Sequence, residues 1–221
     1  QLLFADGGPA YSGYGAWLGL AKGNFENLSD QAATEIYGRG TRLGIMASGR
    51  GTTYWFVVGN RKAPAGRALS ASREDVLAAL AGWPDYAAAL VNATDNNQIS
   101  YVSFYDRPVA RNWGIGRIAL MGDAIHPYLP NLGQGACQAI EDAAALGALF
   151  QAGRGAREII PLYQTMRRVR ARMFQVESRR AGVLGQWQTL LNVPLRNWLL
   201  QSMPELMLER QLKRHFEITS H

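Results

Sequence analysis

Asp123 is the residue whose type and setting point most directly to chemistry. It stands in the run Gly122-Asp123-Ala124-Ile125-His126-Pro127-Tyr128-Leu129-Pro130-Asn131-Leu132-Gly133-Gln134-Gly135, between a strand-like segment, Arg117 to Met121, and a helix-like one, Ala136 to Phe150. An ionised carboxylate only accepts hydrogen bonds, so at the end of a strand it suits the hydroxyls of a polyol. A Gly-Asp pair also serves as a turn or helix cap, and the residues alone leave both uses open. The loop Pro130 to Gly135 adds a second element. Glycines let the backbone approach a flat ligand closely and leave N–H groups free. The helix that follows carries partial positive charge at its first turn. Together these features suit an electron-rich ring held at a helix N-terminus.

Neighbouring residues carry weaker signals. His126 is either a proton shuttle or a loop residue beside the bound ring. Cys137 sits in the first helical turn, where a thiol pKa can fall, or it simply packs. Glu141 and Asp142 lie in the first two turns, where the macrodipole favours negative charge, and read as structural. The small residues Ala136, Ala139, Ala143 and Gly147 permit close packing of this helix against a sheet or a ligand. Trp17, Tyr54, Trp55, Phe56 and Tyr105 could line an aromatic pocket. They alternate with other apolar residues on strands, so core packing explains them equally well.

The elements that must position these residues follow from pattern. Residues 11–20, Thr34–Tyr37, Arg42–Ala47, Thr52–Val58 and Ile99–Tyr105 read as strands, with a hairpin turn between Met46 and Thr52. Glu74–Leu80 reads as a short helix capped by Ser72, and Pro84–Ala93 as another. Glu158 to about Leu184 is a long helix, with apolar positions stepping by three or four. Asn192 with Pro194 marks a further helix start, and Met203-Pro204 one more. The fold class is therefore α+β: a mostly β-sheet domain over 1–110, a β-loop-α portion over 111–153 and a helical region over 154–221. With 221 residues, 48% hydrophobic, the chain can bury a sizeable core. A lone cysteine makes no internal disulfide and fits a reducing, cytoplasmic setting. No apolar run reaches the length of a membrane span. The net charge is +6, concentrated in Arg154, Arg157, Arg167, Arg168, Arg170, Arg172, Arg179 and Arg180. No nucleic-acid motif accompanies that block, which reads as a solvated helix face.

The stretch GRIALMGDAIHPYLPNLGQGACQAIEDAAALGALF, from Gly116 to Phe150, resembles the second FAD-binding motif of class A flavin-dependent monooxygenases. These are the para-hydroxybenzoate hydroxylase-type enzymes, with salicylate hydroxylase and zeaxanthin epoxidase among their relatives. Tyr11-Ser12-Gly13-Tyr14 with Ala16-Trp17, Tyr54-Trp55-Phe56, Tyr105-Asp106-Arg107-Pro108 and Ser178-Arg179-Arg180-Ala181-Gly182 agree with it. The resemblance implies that Gly122 and Asp123 bind the ribityl end of FAD. It places Pro130, Asn131, Leu132, Gly133, Gln134 and Gly135 against the isoalloxazine ring, the last three through backbone N–H groups. It makes the region of about 11 to 107 a substrate domain, with Trp17, Tyr54 and Phe56 as candidate substrate contacts. It implies NADH or NADPH as electron donor, molecular oxygen as co-substrate, and hydroxylation or epoxidation of an aromatic or unsaturated small molecule. No metal, catalytic acid or base is assigned. Two other readings stand beside it: a flavin-dependent reductase or dehydrogenase sharing the loop, and a non-catalytic module with a basic helix.

The chain departs from the family where the ADP half of FAD would bind. No Gly-x-Gly-x-x-Gly follows a strand. Ala5-Asp6-Gly7 looks like the family's middle Asp-Gly motif, but lies too close to Tyr11–Tyr14 to serve as it. Tyr101 and Ser103 stand where members often carry Arg and Asp. The chain thus reads as the C-terminal part of a monooxygenase, with the nucleotide-binding lobe as a missing partner and the Arg117–Met121 strand left with a bare edge. The expectation is an inactive piece that holds FAD weakly; sub-micromolar retention by the isolated chain would contradict it.

Overall fold

The computed structural model describes residues 8–23, 25, 33–49, 51–62, 71–204, 207 and 213. Its sheet contains β1 (Ala10–Lys22), β2 (Ala33–Tyr37), β3 (Thr41–Gly49), β4 (Thr52–Asn60) and β5 (Ser100–Asp106). The order is β2-β3-β4-β1-β5, and every pairing is antiparallel. β1 to β4 cover the β-type runs of the sequence with slightly longer ends, and β5 is the expected Ile99–Tyr105 strand shifted by one residue. The β3–β4 hairpin turns where Gly49 and Gly51 take φ of 75° and 70°, and Thr52 Oγ1 donates to the Gly49 carbonyl at 2.7 Å.

Strand alternation gives the sheet two faces. One carries Trp17, Leu43, Ile45, Trp55 and Val57. It is closed by α1 (Arg73–Ala79) and α2 (Asp85–Asn92), which contribute Val76, Leu90 and Val91. Ser72 caps α1 as its sequence position suggests, accepting from the Asp75 N–H at 3.1 Å. Trp55 is fully buried, and its indole N–H donates to Thr94 Oγ1 at 2.8 Å. Its cross-strand partner is Gly19, where a Cβ would lie 2.4 Å from the ring. The missing side chain is what lets the indole lie flat on the sheet. The other face carries Tyr14, Ala16, Val58, Phe56 and Phe104 and packs against Leu129.

Beyond β5 the structure corrects the sequence. The expected strand Arg117–Met121 is reduced to β7 (Ile118–Ala119), which pairs antiparallel with β6 (Gly114–Ile115). Gly116, with φ of 59°, turns the chain straight back on itself, so β7 finds its partner inside its own hairpin. Two 3-10 turns follow, Gly122–Ala124 and Pro130–Leu132. Then come α3 (Gly135–Gln151), α4 (Ala156–Gly185) and α5 (Asn192–Gln201). Trp113, Ile125 and Tyr163 form the core of this helical layer. Thr189 and Asn192 exchange side-chain-to-backbone hydrogen bonds of 2.9 and 3.2 Å at the entry to α5. The Ala5-Asp6-Gly7 segment lies outside the described residues, and the helix start at Met203-Pro204 runs into residues outside them. Among the described residues no helix is long and apolar enough to cross a membrane.

Gly19→Ala is expected to lower stability by about 1–3 kcal/mol, because the buried Trp55 ring has no room to yield. A urea midpoint equal to that of the wild type would show that the ring is not held flat as described.

Candidate functional site

A groove of about 600 Å³ runs between the Gly122–Ala124 turn and the first turn of α3. Gly122, Asp123, Pro130, Gly133 and Gly135 all line it, so most of the residues expected to hold a ligand come together there. Asn131, Leu132 and Gln134 do not line it. Asp123 is exposed on its wall, and its carboxylate has no hydrogen-bond partner among the described residues. Helix α3 begins without a side-chain cap. The N–H groups of Gln134, Gly135, Ala136 and Cys137 have no partner among the described residues, which leaves the usual donors of a helix start available. The Gly133 N–H is different from expectation. It donates to the Pro130 carbonyl at 3.0 Å and is spent inside the turn; Gly133 is required there by its φ of 63°.

Gly135 has neither constraint. Its φ is ordinary, and an added Cβ would meet nothing within 4 Å. The open space lies on the groove, where a ligand can approach the backbone closely. A free carboxylate acceptor, uncapped N–H donors and this cleared surface fit FAD: the acceptor suits its polyol, and the donors suit the electron-rich end of its ring.

The groove is held in place from beneath. Asp142 of α3 is fully buried. Its Oδ2 accepts from the Gly122 N–H at 3.0 Å and lies 2.7 Å from His126 Nε2; its Oδ1 accepts from Arg167 Nε at 2.9 Å. His126 is wholly buried under the loop and stacks on Tyr128, with centroids 4.7 Å apart. Arg167 also donates to Glu141 and to Gln138 Oε1, and Arg170 Nε reaches Glu141 at 2.7 Å. The arginine block is thus only partly a solvated face, because Arg167, Arg170 and Arg179 are committed to carboxylates. Cys137 is exposed rather than packed.

A second cavity, about 280 Å³, lies between the loop and the sheet and shares Pro130 and Gly133 with the groove. Tyr54 and Phe56 line it, whereas Trp17 does not. Ala16 and Leu18 point into it, so β alternation sends Trp17 to the opposite face, buried against Tyr101. Asn131 lines this cavity too, but its amide is consumed structurally. Its Oδ1 accepts from Arg42 at 2.7 Å, and its Nδ2 donates to Tyr14 Oη and the Ser178 carbonyl, both at 2.8 Å. Segments far apart in sequence meet at this point. Gly182 belongs here as well: a Cβ on it would sit 2.1 Å from the Tyr14 hydroxyl. Arg179 and Asp106 join two further segments of the resemblance, with Nη2 to Oδ1 at 3.1 Å. Arg42 and Glu35, the charged residues of the cavity, escaped the sequence analysis because single charged residues on short strands carry no spacing signal.

Asp142 and Glu141 are both held below the ordinary carboxylate range. Burial pushes each up, but His126, Arg167 and the Gly122 N–H outweigh it for Asp142, and Arg170 with Arg167 for Glu141. A folded-state pKa below the unfolded one means that this stabilisation is complete above the unfolded value and is lost as pH falls through the folded one. Asp142→Asn is expected to cost about 3–5 kcal/mol at neutral pH, since it leaves the buried Arg167 without its charge partner. The gap to the wild type should shrink on acidification, as the wild type loses the same pairing. Equal urea midpoints at neutral pH would contradict this.

Residues 24–178 match the family model described as FAD binding domain. The chain is 33% identical over 218 residues to aurachin C monooxygenase/isomerase of Stigmatella aurantiaca, covering 98% of this chain and 56% of that protein. It is 34% identical over 141 residues to zeaxanthin epoxidase of Solanum lycopersicum, covering 64% of this chain and 21% of that one. The structure of Klebsiella pneumoniae HpxO complexed with FAD and uric acid superposes with a TM-score of 0.86 at 25% identity, over 96% of this chain and 55% of that one. The chain thus spans about half the length of the first and third of these relatives. It belongs to the FAD binding domain family, among relatives that are class A flavin-dependent monooxygenases.

Proposed function

We propose that the protein containing this chain is an FAD-dependent monooxygenase. It uses NADH or NADPH and molecular oxygen to hydroxylate or epoxidise an aromatic or unsaturated small molecule. The observation that carries this reading is the shared wall: Pro130 and Gly133 border both the groove and the cavity under the sheet. A ring seated against the loop would face a substrate in the cavity. FAD supplies the redox and oxygen chemistry when bound. The residues of the chain bind, orient and exclude water. Asp123 accepts from the ribityl hydroxyls, and the Gly135 N–H at the start of α3 faces the pyrimidine end of the ring. Leu18, Phe56, Val58 and Phe104 keep the cavity dry.

The ADP half of FAD needs a nucleotide-binding lobe that the described residues do not contain. Ile115, Ile118, Met121, Ile140 and Phe150 are exposed on the hairpin, the segment after it and α3, an apolar surface such a lobe would cover. In the full-length protein, Asp123→Ala is expected to weaken FAD binding by about 10- to 100-fold, the worth of a hydrogen bond to a charged group. Flavin fluorescence titration measures it. An unchanged Kd would remove Asp123 from the site. NAD(P)H oxidation without any oxygenated product from a panel of aromatic substrates would favour a reductase.

A further inference from the structure

The cavity beneath the sheet contains one charge of each sign, and they neutralise each other. Arg42 is buried, with 3% of its surface exposed. Its Nη1 donates to Glu35 Oε1 at 3.0 Å, its Nη2 to Asn131 Oδ1 at 2.7 Å and its Nε to Gln186 Oε1 at 3.0 Å. Glu35 and Arg42 form a diagonal cross-strand salt bridge between β2 and β3, with side-chain exposures of 30% and 4%. The other lining residues are uncharged, and mostly aromatic or aliphatic.

We infer that Glu35 makes this cavity selective for neutral, oxygen-bearing aromatic ligands and excludes aromatic carboxylates. The inference rests on the reading of this cavity as the substrate site. An unpaired buried guanidinium would repay an incoming anion for its lost hydration. Here the guanidinium already has a carboxylate, so an anion entering the cavity gives up water and meets a neutral pair. It also meets the Glu35 carboxylate at short range, and like charges repel. A neutral ligand escapes both costs. A guanidinium has five N–H donors, and Arg42 uses one on each nitrogen among the described residues. The remaining donors suit a carbonyl or hydroxyl oxygen.

The test is a matched pair of probes on the full-length protein: 2-naphthol, neutral at pH 7, and 2-naphthoate, an anion of the same ring. Calorimetric titration is expected to give at least about tenfold tighter binding of 2-naphthol. In Glu35→Gln, which frees the guanidinium, the ratio should fall at least about tenfold, through tighter binding of 2-naphthoate. Equal or tighter binding of 2-naphthoate by the wild type would overturn the inference, as would an unchanged ratio in a folded Glu35→Gln variant. The wild-type ratio needs no variant and decides by itself if Glu35→Gln does not fold. Flavin absorbance in the same samples separates the two levels. FAD retained with a ratio near one sinks the charge argument alone, whereas FAD retained with neither probe bound sinks the cavity assignment with it. Failure to retain FAD counts against the proposed function, and the probe ratio still tests the cavity.

Discussion

Asp142 divides its two oxygens among three partners, and the ligand-facing surface depends on that division. One oxygen takes the Gly122 N–H and meets His126 Nε2; the other takes Arg167 Nε. Gly122 starts the turn that carries Asp123, and His126 follows just after it. The start of the turn and the residue beyond its cap are thus tied to one carboxylate on α3, whose charge is balanced by a guanidinium from α4. Burying an ionised carboxylate is costly unless it is paired and hydrogen-bonded. Asp142 meets both conditions, and Asp123 stays exposed, with no hydrogen bond or ion pair among the described residues, and remains available to a ligand.

Asn131 anchors the other end of the loop in the same way. Its amide joins β1 through Tyr14, β3 through Arg42 and α4 through Ser178. The sheet and the helical layer therefore share a side chain that belongs to the loop. Pro130 and Gly133 lie on either side of Asn131 and border both spaces, so the groove and the cavity share a wall anchored by that amide. A ring bound on one side and a substrate on the other would keep their separation through this wall, which is the positioning that catalysis between bound partners requires.

The sheet strands and the main helices were legible because their apolar periods are clear, and Ser72, Gly49 and Gly51 carry local chemistry with few alternatives. The groove was legible as a local run, from Gly122 to Gly135. What escaped were facts of tertiary pairing. Arg117–Met121 looks like one continuous strand, but a left-handed Gly116 folds its middle, Ile118–Ala119, into a hairpin with Gly114–Ile115. Trp17, Tyr54 and Phe56 look alike in sequence, yet pleat parity sends the first to the opposite face. His126 looks like a titrating loop residue until Asp142, within α3 and 16 residues further along, is found beneath it. Glycines 19 and 182 read as unremarkable until the Trp55 ring and the Tyr14 hydroxyl are seen where their side chains would be.

The central claim is that the turn bearing Asp123 and the Pro130–Gly135 loop together form the flavin seat. A crystal structure of the full-length protein with FAD tests it most directly. The account predicts a ribityl hydroxyl within about 3 Å of the Asp123 carboxylate, with the isoalloxazine ring against the Pro130–Gly135 backbone. A flavin bound elsewhere, or Asp123 turned into a contact internal to the protein, would contradict it.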